Sequence, residues 1–123
     1  MENALLTQKK VLIIDDEEEL LEPLALGLEQ LSDGFDYLTA ADPLEGMMIL
    51  DREPIDVLVA DMLMPHVTGL DIIEQVLQRF PQTACVLMTA YGSADIATVL
   101  GDFSVNYVEK PLDLEELHRA IVD

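Results

Sequence analysis

Residues 57–69 read Val-Leu-Val-Ala-Asp-Met-Leu-Met-Pro-His-Val-Thr-Gly, and this stretch decides the fold. Four apolar residues run into the single carboxylate of Asp61, and a segment that contains a proline and a glycine follows. A short apolar run bounded by turn residues is typical of a strand buried on both faces. The stretch therefore predicts a buried strand over Ile55–Ala60 that ends in an acid and passes into a loop.

Two other predicted strands end in charged residues in the same way. Val11–Ile14 leads into Asp15 and Asp16, and residues 107–109 lead into Lys110. In an open parallel sheet the carboxyl ends of the strands lie along one edge, where ligands bind. Three carboxylates and a lysine at that edge predict a metal-dependent site that accepts a phosphoryl group.

Short apolar strands alternate with helical patterns along the chain, which favours a doubly wound α/β fold, a five-stranded parallel sheet with helices on both faces. The predicted strands are Val11–Ile14, Phe35–Ala40 at a sheet edge, Ile55–Ala60, Thr83–Met88 and Val105–Glu109. The predicted helices span residues 17–31, 43–51 with Asp42 as the cap, 68–80, 93–100 and 112–122. Pro23 interrupts the first helix, which therefore either starts near Glu22 or kinks at the proline.

The chain has 123 residues, enough for one domain with a substantial core. Residues 1–9 form a polar lead-in, and we expect the domain to span residues 10–123. The single cysteine, Cys85, cannot form an internal disulfide, which fits a reducing cytoplasm. We expect neither a signal peptide nor a membrane-inserted segment, because no apolar run approaches the ~18 residues that a bilayer span needs.

The charge balance restricts the kind of partner. The chain has 25 Asp and Glu residues against 6 Lys and Arg residues, a formal net charge of −19. Such a surface repels the phosphates of nucleic acids and anionic lipids, and it favours cations and basic protein surfaces. We therefore expect no direct binding to nucleic acid.

Four motifs in order resemble the receiver domain of two-component response regulators. They are Asp-Asp after the first strand, Asp-x-x-Met-Pro-x-x-x-Gly after the third, Met-Thr-Ala after the fourth and Lys-Pro after the fifth. Each motif alone is weak, but all four in sequence are specific, and the match covers Val11 to about Val122. The run Met88–Ser93 is similar to receivers of the nitrogen-regulation class.

The resemblance implies a strand order of 2-1-3-4-5 and a function in phosphorelay signalling. Asp61 would accept a phosphoryl group from the phosphohistidine of a histidine kinase or a histidine phosphotransfer protein. Mg²⁺ would be coordinated by Asp16, Asp61 and the backbone carbonyl of Leu63, with Asp15 acting through a water. A different interpretation of Asp15 and Asp16 is an acidic helix start that the macrodipole favours.

Four further residues have proposed roles at the site. Lys110 would supply a point charge to a phosphoryl oxygen, and Pro111 suggests a cis peptide bond that aims the lysine. Thr89 could donate its hydroxyl to another phosphoryl oxygen, although threonines at strand ends are commonly structural. By resemblance, Tyr107 would couple to Thr89 as a conformational switch; otherwise it is a half-buried strand tyrosine with a solvated hydroxyl.

Two other functions remain as alternatives. A phosphatase or hydrolase with an aspartate nucleophile usually has a second acid two residues later, where this chain has Leu63. We therefore expect self-phosphotransfer and autodephosphorylation but no enzymatic turnover of outside substrates. A degenerate receiver used only for binding would normally lack a site acid or the lysine, and all of them are present. The output would go to a downstream protein or to an effector domain that this chain does not contain.

Overall fold

The computed structural model describes residues 9–31, 34–64, 66–90 and 105–122. The five strands of its main sheet are β1 (Lys9–Ile14), β2 (Phe35–Ala40), β3 (Val57–Asp61), β4 (Ala84–Thr89) and β5 (Asn106–Glu109). The helices within these ranges are α1 (Glu18–Leu31), α2 (Pro43–Arg52), α3 (Gly69–Arg79) and α4 (Leu114–Val122). The helix predicted over residues 93–100 lies outside the described ranges.

The main sheet is entirely parallel and has the order β2-β1-β3-β4-β5. This confirms the predicted doubly wound fold, the order 2-1-3-4-5 and the edge position of β2. One further element was not predicted, because the sequence indicates only a loop after β3. There, Leu63–Met64 pairs with Val67–Thr68 in a short antiparallel hairpin.

Alternation of side chains along each strand explains why both faces of the sheet are covered. In β1, Val11 and Ile13 lie in one hydrophobic cluster, whereas Leu12 and Ile14 lie in the other. The first cluster includes Leu21 and Leu28 of α1 and Leu117 and Ile121 of α4. The second includes Ile49 and Leu50 of α2 and Ile72, Ile73 and Val76 of α3. The sheet therefore holds two cores, and its strand ends are free to form a site.

Side-chain caps fix the starts of two helices. Asp42 accepts a hydrogen bond from the backbone N–H of Leu44 at 2.8 Å, and Pro43 occupies the first helical position of α2, as predicted. At α3, Thr68 and Asp71 form a reciprocal capping box. The second cap sets where α3 begins relative to Asp61.

The first helix corrects one of the two alternatives drawn from Pro23, the start near Glu22. It begins at Glu18, not near Glu22, and continues as one helix through the proline. Leu21 lies before Pro23, and it is buried on the same side of the helix as Ala25 and Leu28. Packing of this stripe on the sheet outweighs the local cost of the proline, which is ~3 kcal/mol in a helix interior.

Several other predicted boundaries were wrong. Strand β1 begins at Lys9, not Val11, and β4 ends at Thr89, not Met88. Strand β3 begins at Val57, not Ile55, and it includes Asp61, whose register partner is Met88. The last helix begins at Leu114, not at residue 112. The carboxylate of Asp113 accepts hydrogen bonds from the N–H groups of Glu115 and Glu116 at 2.9 and 3.3 Å and caps the helix there.

Candidate functional site

The parallel register brings the predicted site residues to one edge of the sheet. Asp15 and Asp16 follow β1, Asp61 ends β3, Thr89 ends β4 and Lys110 follows β5. Ile14 is paired with Ala60, Asp61 with Met88, and Thr89 with Glu109. The strand ends are therefore level with one another, which explains why residues far apart in sequence meet here.

The three predicted carboxylates form one cluster. Asp15, Asp16 and Asp61 each offer an oxygen, and these oxygens lie within 4.8 Å of one another. Asp15 and Asp61 are only 4% and 5% exposed, whereas Asp16 is exposed. Mg²⁺ prefers oxygen ligands and is commonly bound through one or two carboxylates. This donor set therefore fits Mg²⁺.

Lys110 lies against the cluster, with its Nζ 2.9 Å from Oδ1 of Asp61. Its peptide bond with Pro111 is cis, as the sequence suggests, and its backbone N–H donates to the carbonyl of Thr89 at 2.7 Å. Burial disfavours the charged lysine, but the hydrogen bond to Asp61 and the charges of the nearby acids outweigh it. The pKa of Lys110 therefore lies above its usual value, and the group is a cation at neutral pH.

The carboxyl group of Asp15 is destabilised in its charged form. Burial raises its pKa above the usual value, against a hydrogen bond from the N–H of Glu17 at 3.0 Å, which lowers it. The charge of Asp61 raises the pKa further, and the charge of Lys110 offsets part of that effect. Without a metal ion, the folded protein thus holds this proton more tightly than the unfolded chain does.

We predict that Asp15→Asn stabilises the metal-free protein at pH 7 by about 1 kcal/mol. Two carboxylates ~5 Å apart repel by ~3 kcal/mol at an effective dielectric of ~20, and Lys110 cancels part of that repulsion. The folded-state pKa of Asp15 is raised, so the free energy of unfolding of the wild type falls as pH rises from the ordinary aspartate range of about 4. Urea unfolding in a chelator at several pH values measures the difference.

The pH dependence provides the control for that prediction. Below pH ~4 the carboxyl group is protonated in both folded and unfolded chains, so the gain from Asp15→Asn should vanish there. A gain that stays constant down to pH 4 would show that the charge of Asp15 is not its cause.

Thr89 and Tyr107 lie on the neighbouring strands β4 and β5. The side chain of Thr89 is fully buried, and Tyr107 is half-buried and packs against the second hydrophobic cluster. Tyr107 is the register partner of Leu87, two residues before Thr89. The structure thus brings the two residues near each other.

An open cavity of about 380 Å³ adjoins the acidic cluster. Its lining residues are Asp16, Glu17, Asp61, Met62, Leu63, Ala90 and Lys110. Leu63 is 57% exposed there, and the neighbouring Ala90 adds little bulk. Solvent and a phosphoryl group can therefore reach the edge of the sheet beside Asp61.

Sequence reasoning missed the part that Gly69 plays in positioning Asp61. A Cβ atom on Gly69 would lie 2.4 Å from the carbonyl oxygen of Asp61 and 2.9 Å from its carbonyl carbon. The N–H of Gly69 also donates to the carbonyl of Met62 at 2.9 Å. The glycine that closes the Asp-x-x-Met-Pro-x-x-x-Gly motif was a visible signal, but the sequence does not show what it touches.

Comparisons with known proteins agree with this geometry. Residues 11–122 match the response regulator receiver domain family. The response regulator protein PilR of Pseudomonas aeruginosa is 35% identical over 117 residues, which are 94% of this chain and 26% of that protein. The transcriptional regulatory protein GlrR of Escherichia coli is 34% identical over 116 residues, 92% of this chain and 25% of that protein.

Solved structures show the same fold. A response regulator receiver domain protein from Clostridium thermocellum has a TM-score of 0.81 and 33% identity, covering 93% of this chain and 91% of that one. A CheY-like receiver domain protein from Methanospirillum hungatei has a TM-score of 0.82, with 94% and 92% covered. At 23% identity, that second likeness shows the fold alone.

The chain belongs to the response regulator receiver domain family, whose members are signalling modules that are typically phosphorylated on an aspartate and bind Mg²⁺. Its relatives include regulators of the NtrC-like kind, which agrees with the predicted nitrogen-regulation class. The chain spans about a quarter of the length of PilR and GlrR. Within the described ranges, none of the helices is both long enough and apolar enough to cross a bilayer.

Proposed function

We propose that Asp61 accepts a phosphoryl group from a phosphohistidine and that this chain is the phosphoryl-accepting protein of a phosphorelay. One observation carries the proposal: the buried carboxylate of Asp61 lies 2.9 Å from the Lys110 ammonium and within 4.8 Å of oxygens of Asp15 and Asp16. A carboxylate placed beside a cation and metal-ligating acids is suited to attack the phosphorus of a negatively charged phosphoryl group.

The residues of the cluster would hold Mg²⁺ as follows. Asp16 and Asp61 would coordinate directly, the backbone carbonyl of Leu63 would add a ligand, and Asp15 would act through a water. When bound, the ion neutralises the carboxylates and offsets negative charge on the phosphoryl oxygens. The closeness of the three carboxylates and the exposure of Asp16 to solvent support this arrangement.

In the transfer step, a carboxylate oxygen of Asp61 bonds to phosphorus while the bond from phosphorus to the histidine nitrogen breaks. The imidazole departs with that electron pair and takes up a proton from solvent. Lys110 would exchange part of its contact with Asp61 for a phosphoryl oxygen, and Thr89 would donate its hydroxyl to another. The protein contributes position and charge neutralisation, which account for most of the catalysis of phosphoryl transfer.

We predict that Mg²⁺ raises the melting temperature of the protein. A ligand that binds only the folded state adds ~2.7 kcal/mol at 100 times its dissociation constant. Removing one carboxylate ligand weakens binding, so the increase should shrink in Asp16→Asn. Thermal unfolding with 0 to ~10 mM Mg²⁺, at constant ionic strength, measures both effects.

The matched control is Asp42→Asn, a change in an exposed acid that follows β2 at the same edge of the sheet. Asparagine caps a helix about as well as aspartate, so the fold should not change. If Asp16→Asn and Asp42→Asn respond to Mg²⁺ equally, the ion binds elsewhere.

Thr89 and Tyr107 are proposed to form the conformational switch. Their positions near each other on β4 and β5, and the hydrogen bond from the Lys110 N–H to the Thr89 carbonyl, support a coupling to the site. Phosphorylation would draw Thr89 toward the phosphoryl group and let Tyr107 turn inward. Such a population shift requires contacts that differ between the two states.

We expect the beryllofluoride mimic of the phosphoryl group to shift the amide NMR signals of residues 88–90 and 105–108. The same measurement on Thr89→Val, which keeps the shape but loses the hydroxyl, should show smaller changes around Tyr107. Unchanged signals at Tyr107 in the wild type, with large changes around Asp61, would place the switch elsewhere.

The proposed phosphoryl donor is a histidine kinase or a histidine phosphotransfer protein, and the output goes to a downstream protein or to an effector domain outside this chain. We propose no catalytic turnover of separate substrate molecules. A hydrolase of this kind would need a general acid two residues after Asp61, and the exposed Leu63 lies there. We also propose a cytoplasmic location, which the buried free thiol of Cys85 supports.

The experiment that tests the function is phosphorylation by acetyl phosphate, a small donor that requires no protein partner. With Mg²⁺, the intact mass should rise by one phosphoryl group, and with a chelator the rise should be lost. A protein that gains no phosphoryl group under either condition would not be a phosphate-accepting receiver.

A further inference from the structure

A cleft of about 560 Å³ lies at the edge of the sheet opposite to the phosphorylation site. It is lined by residues 50–56, which end α2 and lead into β3, and by residues 80–83, which lead from α3 to β4. Both segments adjoin the amino ends of their strands, whereas Asp61 and Thr89 lie at the carboxyl ends. This amino-edge cleft is therefore separated from the site by the length of a strand, roughly 15 Å.

The floor of the amino-edge cleft is largely apolar. Ile55 contributes a buried side chain, Phe80 is half-buried, and Pro54 and Pro81 are exposed. The guanidinium of Arg79 lies over the ring of Phe80, 5.1 Å from its centroid. Aromatic and arginine side chains are enriched where proteins contact one another, so this composition favours a protein as the occupant.

Charges of both signs balance on the rim of the amino-edge cleft. Among the described residues, three carboxylates and three cations lie there: Asp51, Glu53, Asp56, Lys10, Arg52 and Arg79. The Nζ atom of Lys10 lies 2.6 Å from Oε1 of Glu53, and Arg79 pairs with Asp51. All four of these side chains stay partly exposed, so they can also contact another molecule. The rim thus has no net charge.

This balance is unusual for the chain, which has 6 Lys and Arg residues against 25 Asp and Glu residues. Half of its cations lie on the rim of one cleft. Two copies of so acidic a chain repel each other wherever carboxylates meet carboxylates. A two-fold symmetric interface places one patch against itself, so the patch must carry both signs of charge for each cation to meet a carboxylate. The amino-edge cleft satisfies that requirement.

We infer that the amino-edge cleft is the interface between two copies of this chain, related by a two-fold axis. In such a dimer the apolar floors lie against each other, and the exposed Arg52 of each copy meets carboxylates on the rim of the other. The phosphorylation sites lie on the far edges of the two sheets and stay open to a phosphoryl donor. The inference therefore goes beyond the proposed function and does not rest on it.

Sedimentation equilibrium of the whole chain tests for the dimer. We expect the average mass to rise toward twice that of the chain, with a dissociation constant on the order of 10–100 µM, as suits a small and transient interface. The salt concentration is held at ~0.15 M, where the Debye length of ~8 Å limits the general repulsion between the copies. A chain that remains monomeric at millimolar concentration would overturn the inference.

A matched pair of variants locates the contact. Arg52 and Arg119 are both exposed and lie in the last turns of α2 and α4, which cover opposite faces of the sheet. Arg52→Glu and Arg119→Glu change the net charge equally, so they add the same general repulsion. Arg52→Glu should raise the dissociation constant at least about tenfold beyond the effect of Arg119→Glu, as expected for an arginine within the interface. Equal effects of the two changes would exclude the amino-edge cleft, provided that circular dichroism shows both variants folded.

Amide NMR signals recorded at low and high protein concentration identify the surface directly. The signals of residues 50–56 and 80–83 should shift with concentration, and those of α4 should not. The beryllofluoride mimic should leave the dissociation constant unchanged, because the cleft lies at the other edge of the sheet from Asp61. Shifts confined to β5 and α4, or a dimer that forms only with the mimic, would place the interface on another surface and overturn the inference.

Discussion

Asp61→Asn is expected to abolish phosphorylation of the chain by acetyl phosphate in the presence of Mg²⁺. The amide cannot act as the nucleophile, and it also removes the carboxylate that pairs with Lys110 at 2.9 Å. The fold should persist, because a buried charge that is repelled by Asp15 is replaced by a neutral group of the same shape. Intact mass after incubation, with circular dichroism as a measure of folding, gives both results.

Asp42→Asn is again a suitable control for that variant, since it makes the same chemical change in an exposed residue at the same edge of the sheet. It should be phosphorylated at the wild-type rate. Asp61→Asn protein that still gained a full phosphoryl group would place the acceptor on another residue.

Gly69→Ala is expected to destabilise the protein by about 2 kcal/mol, or roughly 8 °C in melting temperature. The added Cβ would lie 2.4 Å from the carbonyl oxygen of Asp61, a backbone atom held by the pairing of β3 with β4. It would also lie 2.9 Å from Cδ1 of the fully buried Leu87. Relief requires movement of Asp61 itself, so phosphorylation by acetyl phosphate should also slow.

Gly27→Ala is the matched control for this prediction. Its Cβ would lie 2.8 Å from Cδ1 of Leu114, the far end of a side chain that is 38% exposed and has room to turn away. In the interior of α1, alanine is favoured over glycine by roughly 0.5–1 kcal/mol, so this variant should be neutral or slightly more stable. If both alanine variants had wild-type stability and phosphorylation, Gly69 would not constrain the backbone at Asp61.

The sequence predicted the sheet and the site because both depend on short-range patterns. Val11–Ile14 and residues 57–60 are apolar throughout, as buried parallel strands require, and each run ends in acids. In a parallel sheet the strand ends align, so the meeting of Asp15, Asp16 and Asp61 with Lys110 follows from topology.

The features that the sequence did not predict depend on tertiary contacts. The first helix tolerates Pro23 because Leu21, Ala25 and Leu28 are buried, and local propensity carries no information about that packing. The hairpin at residues 63–68 contains His66 with a φ of 69°, a conformation that its residue type does not indicate. The approach of Gly69 to Asp61 likewise appears only when α3 is placed against the sheet.

The central claim is that Asp61 carries the phosphoryl group, and locating that group tests it most directly. Protein treated with acetyl phosphate and Mg²⁺ can be reduced with borohydride, which converts an acyl phosphate on aspartate to homoserine, and then digested and sequenced by mass spectrometry. The account predicts homoserine at position 61 and unmodified aspartate at positions 15 and 16. Homoserine at position 15 or 16, or phosphate retained on His66, would contradict it.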